Sequence, residues 1–173
     1  KTFTQSIIDC GDAPSDPEQR YQQDHALYGF FVTGLSVTES LCYSMYTIAS
    51  LKYPDCLSMR TAKQRKNITL CKTRERFDEI FHDDSITNWL VELLKSADYN
   101  DWNCVRNILV HRIAPGRTIF GSFGGNPTMS AKLRIGCELT LDSDTTDDRL
   151  NWLASQVSTC FRSISDSKVL FPE

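Results

Sequence analysis

The stretch Asp101-Trp102-Asn103-Cys104-Val105-Arg106-Asn107-Ile108-Leu109-Val110-His111-Arg112 sets strongly polar, chemically capable side chains into a segment that also has a core to build. On a helix of about 3.6 residues per turn, Trp102, Cys104, Val105, Ile108, Leu109 and Ile113 fall on one broad arc. Asn103, Asn107 and His111 line up at i, i+4 and i+8 on another face. Arg106 and His111 stand about 140° apart on that wheel and flank the Asn stripe. Ala or Glu at these positions would serve packing equally well, so the choice of Arg, Asn and His asks for a reason beyond the core.

Working back from this segment, Asp98-Tyr99-Asn100-Asp101 reads as a turn rich in N-cap candidates that launches the helix. Before it, Ile86, Trp89, Leu90, Leu93, Leu94 and Ala97 follow the spacing of an amphipathic helix, capped and charged by Asp83-Asp84-Ser85. Thr73 to His82 is a further helical segment with Phe77, Ile80 and Phe81 on one face. From Asp24 to about Leu51 the chain reads as one long helix, apolar over most of its circumference through Leu27, Phe30, Phe31, Leu35, Leu41, Met45, Ile48 and Leu51. Pro54 disfavours helical geometry in the residue before it and breaks that helix. Glu39 is its odd residue, and either faces solvent or meets an Arg, with Arg106 and Arg112 as candidates. Lys1 to Gln23, with Pro14 and Pro17 among acids, reads as an arm.

Forward of the segment, Ala114-Pro115-Gly116 is a stop signal. Gly121, Gly124, Gly125, Asn126 and Pro127 form a loop, and Leu133, Ile135, Cys137, Leu139 and Leu141 then alternate with period two, as a half-buried strand does, with Thr118 to Phe123 as its hairpin partner. The glycine loop lacks the Gly-Lys-Ser/Thr ending of a phosphate-binding P-loop. Asp144-Thr145-Thr146-Asp147-Asp148 opens a last helix with a stripe of Leu150, Leu153, Val157, Phe161 and Ile164. The expectation is a mainly all-α chain, a helical bundle of four to six helices with a small β-hairpin near 118–141. It comprises an arm at 1–23, a single domain at 24–165 and a tail at 166–173.

A chain of 173 residues with 24% charged side chains suits one globular domain. Its formal charge of −3 argues against coating nucleic acid by bulk electrostatics, so a phosphate-binding surface would have to be local. Arg60 to Arg76 is the candidate, with Arg60, Lys63, Arg65, Lys66, Lys72, Arg74 and Arg76 against Glu75; a solvated helix face and loop is the plainer reading. Seven cysteines without a C-x-x-C pair suit reduced thiols, and no structural zinc or other cofactor is expected. The sequence opens without a basic-then-apolar leader, and no apolar run reaches membrane-spanning length, so a cytoplasmic protein without a membrane partner is expected.

Three histidines limit the chemistry. His82 with Asp83 and Asp84 reads as cap and surface polarity before it reads as a metal site, because adjacent residues on a helix point apart. No H-E-x-x-H occurs, and no nucleophile has a base at recognisable spacing. His111 with Arg106 differs. Imidazoles as a class exchange protons near neutral pH, and a guanidinium forks onto phosphate oxygens, which together suffice for metal-free RNA cleavage by the 2′-hydroxyl. The same two residues also suit an ordinary surface face.

The segment Arg106-Asn107-Ile108-Leu109-Val110-His111 resembles the Arg-(four to six residues)-His motif of the HEPN superfamily, in the form with Asn directly after the Arg. Arg112-Ile113-Ala114-Pro115-Gly116-Arg117 is similar to the tail that follows the motif in uncharacterised bacterial members. The resemblance covers residues 24–164 in helix order, and only the motif helix at residue level. It implies a helical bundle that dimerises through its motif helices to build one composite cleft. It further implies a metal-independent endoribonuclease acting as a toxin or defence effector, with an antitoxin or regulatory protein as a further partner. Carried over, His111 is the general base or acid, Arg106 the phosphate contact and Asn107 a positioning group, while Asn103, Arg112 and Arg117 are candidates for substrate binding. Ile113 stands where one subgroup has a Tyr modified by AMP, so that regulation is not expected. The competing class is a non-catalytic HEPN-like module that binds a protein, a nucleotide or RNA.

Overall fold

The structure is a computed structural model that describes residues 16–111, 116–121, 129–134 and 143–171. These residues are mainly helical: α1 (Pro17–Lys52), α2 (Ala62–Lys66), α3 (Leu70–Ile80), α4 (Ser85–Lys95), α5 (Ala97–Val110) and α6 (Ser143–Ser165), with β1 (Gly116–Gly121) and β2 (Met129–Arg134) between α5 and α6. None of these helices is long and apolar enough to cross a membrane.

Local chemistry sets the boundaries. Helix α1 begins at Pro17, whose fixed φ suits a first helical position, and Asp16 Oδ1 accepts from the Glu18 N–H at 3.1 Å. The helix therefore starts seven residues before Asp24, inside the stretch read as an arm, and Gln23 is buried. Thr61 and Gln64 form a reciprocal capping box on α2, Thr69 caps α3, and Asp84 caps α4 by accepting from Ile86 N–H at 3.0 Å. Asp98 to Asp101 is not a turn: these residues are the first part of α5. The break lies at Ser96, which takes an extended conformation with ψ of 140° and accepts the Tyr99 N–H on its hydroxyl at 3.0 Å. One serine thus ends α4 and caps α5, and the polar run after it fills a helical first turn.

The chain forms two compact units, one drawing on Lys1–Leu35 and Asp101–Trp152, the other on Ser36–Asn100 and Leu153–Glu173. In the first, the described core is built on Leu27, Phe31, Leu35, Trp102, Val105 and Leu109. The strands pair antiparallel with Ile119 opposite Ala131. Most of the Leu133 to Leu141 alternation lies outside the described residues.

In the second unit, Cys42, Met45, Ala49, Phe77, Ile86, Trp89, Leu90, Leu93, Cys160 and Leu170 are buried. Phe77 stacks on Tyr46 and meets Phe81 edge-on, with ring centroids 6.0 and 5.6 Å away. The residues read as a tail dock here: Ser167 and Leu170 are buried, Ser167 Oγ and the Val169 N–H both donate to Asp84 Oδ2, and Lys52 Nζ donates to the Leu170 carbonyl.

Two stripes differ from their expected form. On α1 the buried positions are Gln23, Leu27, Phe31, Leu35, Thr38, Cys42, Met45 and Ala49, a single stripe at helical spacing, while Ile48 and Leu51 are exposed. On α6, Leu150 and Phe161 are exposed at 51% and 58%, and burial falls on Thr146, Leu153 and Cys160, each seven residues from the last. On α6 the inward face joins Leu153, which the expected stripe contains, with the smaller Thr146 and Cys160, which it does not.

Candidate functional site

Trp102 fixes how the motif helix α5 is turned. Its side chain is fully buried, stacks on Phe30 with centroids 5.0 Å apart, meets Phe31 and Trp152 at 5.5 and 5.8 Å, and donates its indole N–H to the Phe31 carbonyl at 2.9 Å. Gly34 makes room for it, since a Cβ there would stand 2.2 Å from the Trp102 ring. With Trp102 inward, His111 lies about 180° away on an ideal helical wheel and Arg106 only about 40° away. His111 is accordingly exposed, and Arg106 half-buried beside the core face.

The polar face is a chain of weak contacts. Asn107 Nδ2 donates to Asn103 Oδ1 at 3.5 Å, and Arg106 Nη1 donates to Asn107 Oδ1 at 3.4 Å. Both lie beyond the usual 2.7–3.2 Å range, so they bias orientation and hold little energy. His111 follows α5 as a turn residue whose main-chain N–H still bonds the Asn107 carbonyl at 3.1 Å, which keeps its side chain in line with Asn107 and Asn103. Four candidates, Asn103, Arg106, Asn107 and His111, therefore sit on one described segment. Arg112 lies outside the described residues, and Arg117 is placed on β1 by its backbone alone.

Chemically, this face offers an imidazole open to water, a guanidinium with one donor on Asn107, and two carboxamides. That is a proton carrier, an anion contact and two positioning groups.

His82 is engaged elsewhere: its Nδ1 is 2.9 Å from Asp78 Oδ1 in the last turn of α3, while Asp84 serves as the α4 cap. Among the described residues, no group of three or more His, Cys, Asp or Glu side chains is placed to hold a metal ion. Glu39 is exposed.

Of the seven cations between Arg60 and Arg76, only Arg74 and Arg76 form ion pairs among the described residues, with Glu75 and Glu79. Arg65 donates to the Met59 and Arg60 carbonyls, so it braces the turn before α2.

No protein-family model matches the chain, and neither the curated proteins nor the solved structures compared with it include a match.

Proposed function

We infer that the chain is a metal-independent endoribonuclease of HEPN type that works as a homodimer. The observation that carries this is an exposed His111 just past the end of α5 with Arg106 half-buried on that helix, both on one described segment. In this reading the His111 imidazole of one subunit takes the proton of an RNA 2′-hydroxyl. The resulting alkoxide attacks the neighbouring phosphorus, and the 5′-oxygen leaves as the 2′,3′-cyclic phosphate closes. The imidazolium of the second copy supplies the leaving group's proton, and Arg106 stabilises the phosphorane charge. One copy of the face has a single imidazole for two proton transfers, which is the reason for the dimer. The HEPN-like bundle, its hairpin excursion at 118–141 and a role as a toxin or defence effector with a neutralising partner belong to the same reading.

The chain's charge of −3 favours the other class, a non-catalytic module of the same fold. The two separate on one assay: purified protein with structured RNA in EDTA, beside His111→Ala and Arg106→Ala. Cleavage by the wild type alone supports the nuclease; binding without cleavage by all three supports the module.

A further inference from the structure

The second unit carries an open cleft of about 390 Å³ lined by Tyr46, Ser58, Gln64, Asn67, Lys72 and Arg76, brought together from α1, the loop after it, α2 and α3. The lining has one acid, Asp55, which is exposed. A volume near the small end of ligand clefts suits one nucleotide-sized unit better than a duplex.

The hydrogen bonds around this cleft occupy the oxygens of its two carboxamides and present their NH₂ donors. Gln64 Oε1 accepts from the Thr61 N–H and hydroxyl at 2.8 and 3.1 Å, so its amide NH₂ is the end offered to a ligand. Asn67 Oδ1 accepts from Lys72 Nζ at 3.1 Å, and Asn67 likewise offers its NH₂. Arg76 donates from Nε and Nη2 to the Cys56 carbonyl and from Nη1 to Glu79 at 2.7 Å, so it props the wall while Lys72 brings the adaptable charge. Burial holds the Tyr46 phenol above its usual range against the opposing Arg76 charge, so it too is present as an O–H donor.

Charge points the same way. Arg60 to Arg76 carries net +6, while the other 156 residues carry −9, 12 cations against 21 acids. Within this segment the long-range repulsion between an acidic chain and an anion is therefore inverted. A donor-rich, locally basic cleft calls for an anionic ligand rich in acceptors.

We propose that the Tyr46–Asn67–Lys72 cleft holds a phosphate-bearing nucleotide unit of single-stranded RNA, with Lys72 on the phosphate and the two carboxamides donating to base or ribose oxygens. It deepens the ribonuclease reading by giving that enzyme a second contact with its RNA, separate from the motif helix. Single-stranded RNA is the form whose phosphates and unpaired base edges can both enter such a cleft.

The test measures binding in the His111→Ala protein, so that no RNA is consumed, with a labelled ten-nucleotide single-stranded RNA followed by fluorescence anisotropy. Lys72→Glu reverses the cation, and the isosteric Asn67→Asp turns an NH₂ donor into a carboxylate oxygen with little demand on the fold. Each variant is expected to bind about tenfold more weakly or worse, and Lys72→Glu to lower the slope of log affinity against log salt by about one. Unchanged affinity in Asn67→Asp, or an affinity for the RNA no greater than for inorganic phosphate or uridine monophosphate, overturns the proposal. The readout is binding, so failure of the nuclease assay leaves it standing, and its own failure leaves His111 chemistry intact.

Discussion

The indole N–H of Trp102 donates to the main-chain oxygen of Phe31 at 2.9 Å, and both side chains are fully buried. This bond ties the motif helix to α1 within the first unit, and everything on the polar face of α5 takes its orientation from it.

Gly34 is required by that arrangement. A methyl at Gly34 would meet Trp102 Cζ2 at 2.2 Å, and the ring has little room to give between Phe30, Phe31 and Trp152. Gly34→Ala should cost about 1–3 kcal/mol as overpacking. Gly29→Ala, on the same helix with nothing within 4 Å of the added Cβ, should gain about 0.5–1 kcal/mol from the stiffer backbone. Urea unfolding of the two variants gives opposite signs; a neutral Gly34→Ala contradicts the packing described.

Two buried tryptophans should respond differently to Phe. Trp102 has its Phe31 acceptor, whereas the Trp89 Nε1 meets no acceptor among the described residues. Trp102→Phe loses a buried hydrogen bond as well as volume, about 1 kcal/mol or more beyond Trp89→Phe. The comparison is made by denaturant midpoints at one pH.

Asp84 joins a cap to a docking contact. One carboxylate oxygen caps α4 and the other receives Ser167 Oγ at 3.1 Å and the Val169 N–H at 3.3 Å. Asp84→Ala should cost about 1–3 kcal/mol, above a simple cap deletion at the lower end of that range. Hydrogen exchange should rise at Val169 as well as at Ile86. A change confined to Ile86 would show that the C-terminal segment is held by Leu170 alone.

Burial pushes the Cys42 thiol up to about 11 and the Cys160 thiol up to about 12, from an ordinary 9.0. Both stay protonated at neutral pH, so they should resist alkylation in the folded protein while exposed Cys56 and Cys71 react. In the unfolded chain these thiols ionise from about pH 9, so the unfolded state binds fewer protons than the folded one above that pH. Stability is therefore constant in this respect below pH 9 and declines as pH rises through about 11 for Cys42. Cys42→Ala should flatten part of that decline in urea titrations between pH 8.5 and 10.5.

Sequence showed some of this directly and hid the rest for physical reasons. The α4 pattern was legible because large apolar residues occupy its inward positions, and Ile86, Trp89, Leu90 and Leu93 are indeed buried. The α5 start was misread because Asp98, Asn100 and Asp101 favour turns and caps as strongly as they favour a helical first turn, and only Ser96 settles which. On α6 Leu153 is buried as its stripe predicts, but the other inward residues are Thr146 and Cys160, whose small size carries little hydrophobic signal, whereas the large Leu150 and Phe161 are exposed. The Asn103, Asn107 and His111 stripe was legible, but the Tyr46, Gln64, Asn67 and Lys72 cleft was not: its members come from α1, the α2 segment and α3, and their donor character depends on which oxygens are already bonded.

The central claim rests on His111. The most direct measurement is the rate at which a 2′,3′-cyclic phosphate terminus appears on a structured RNA in EDTA, with wild type beside His111→Ala of equal fold and oligomeric state. General acid–base chemistry contributes about 10²–10⁴-fold, so the variant should be slower by at least about a hundredfold. Equal rates in the two proteins, or no cyclic phosphate from either, would contradict the account.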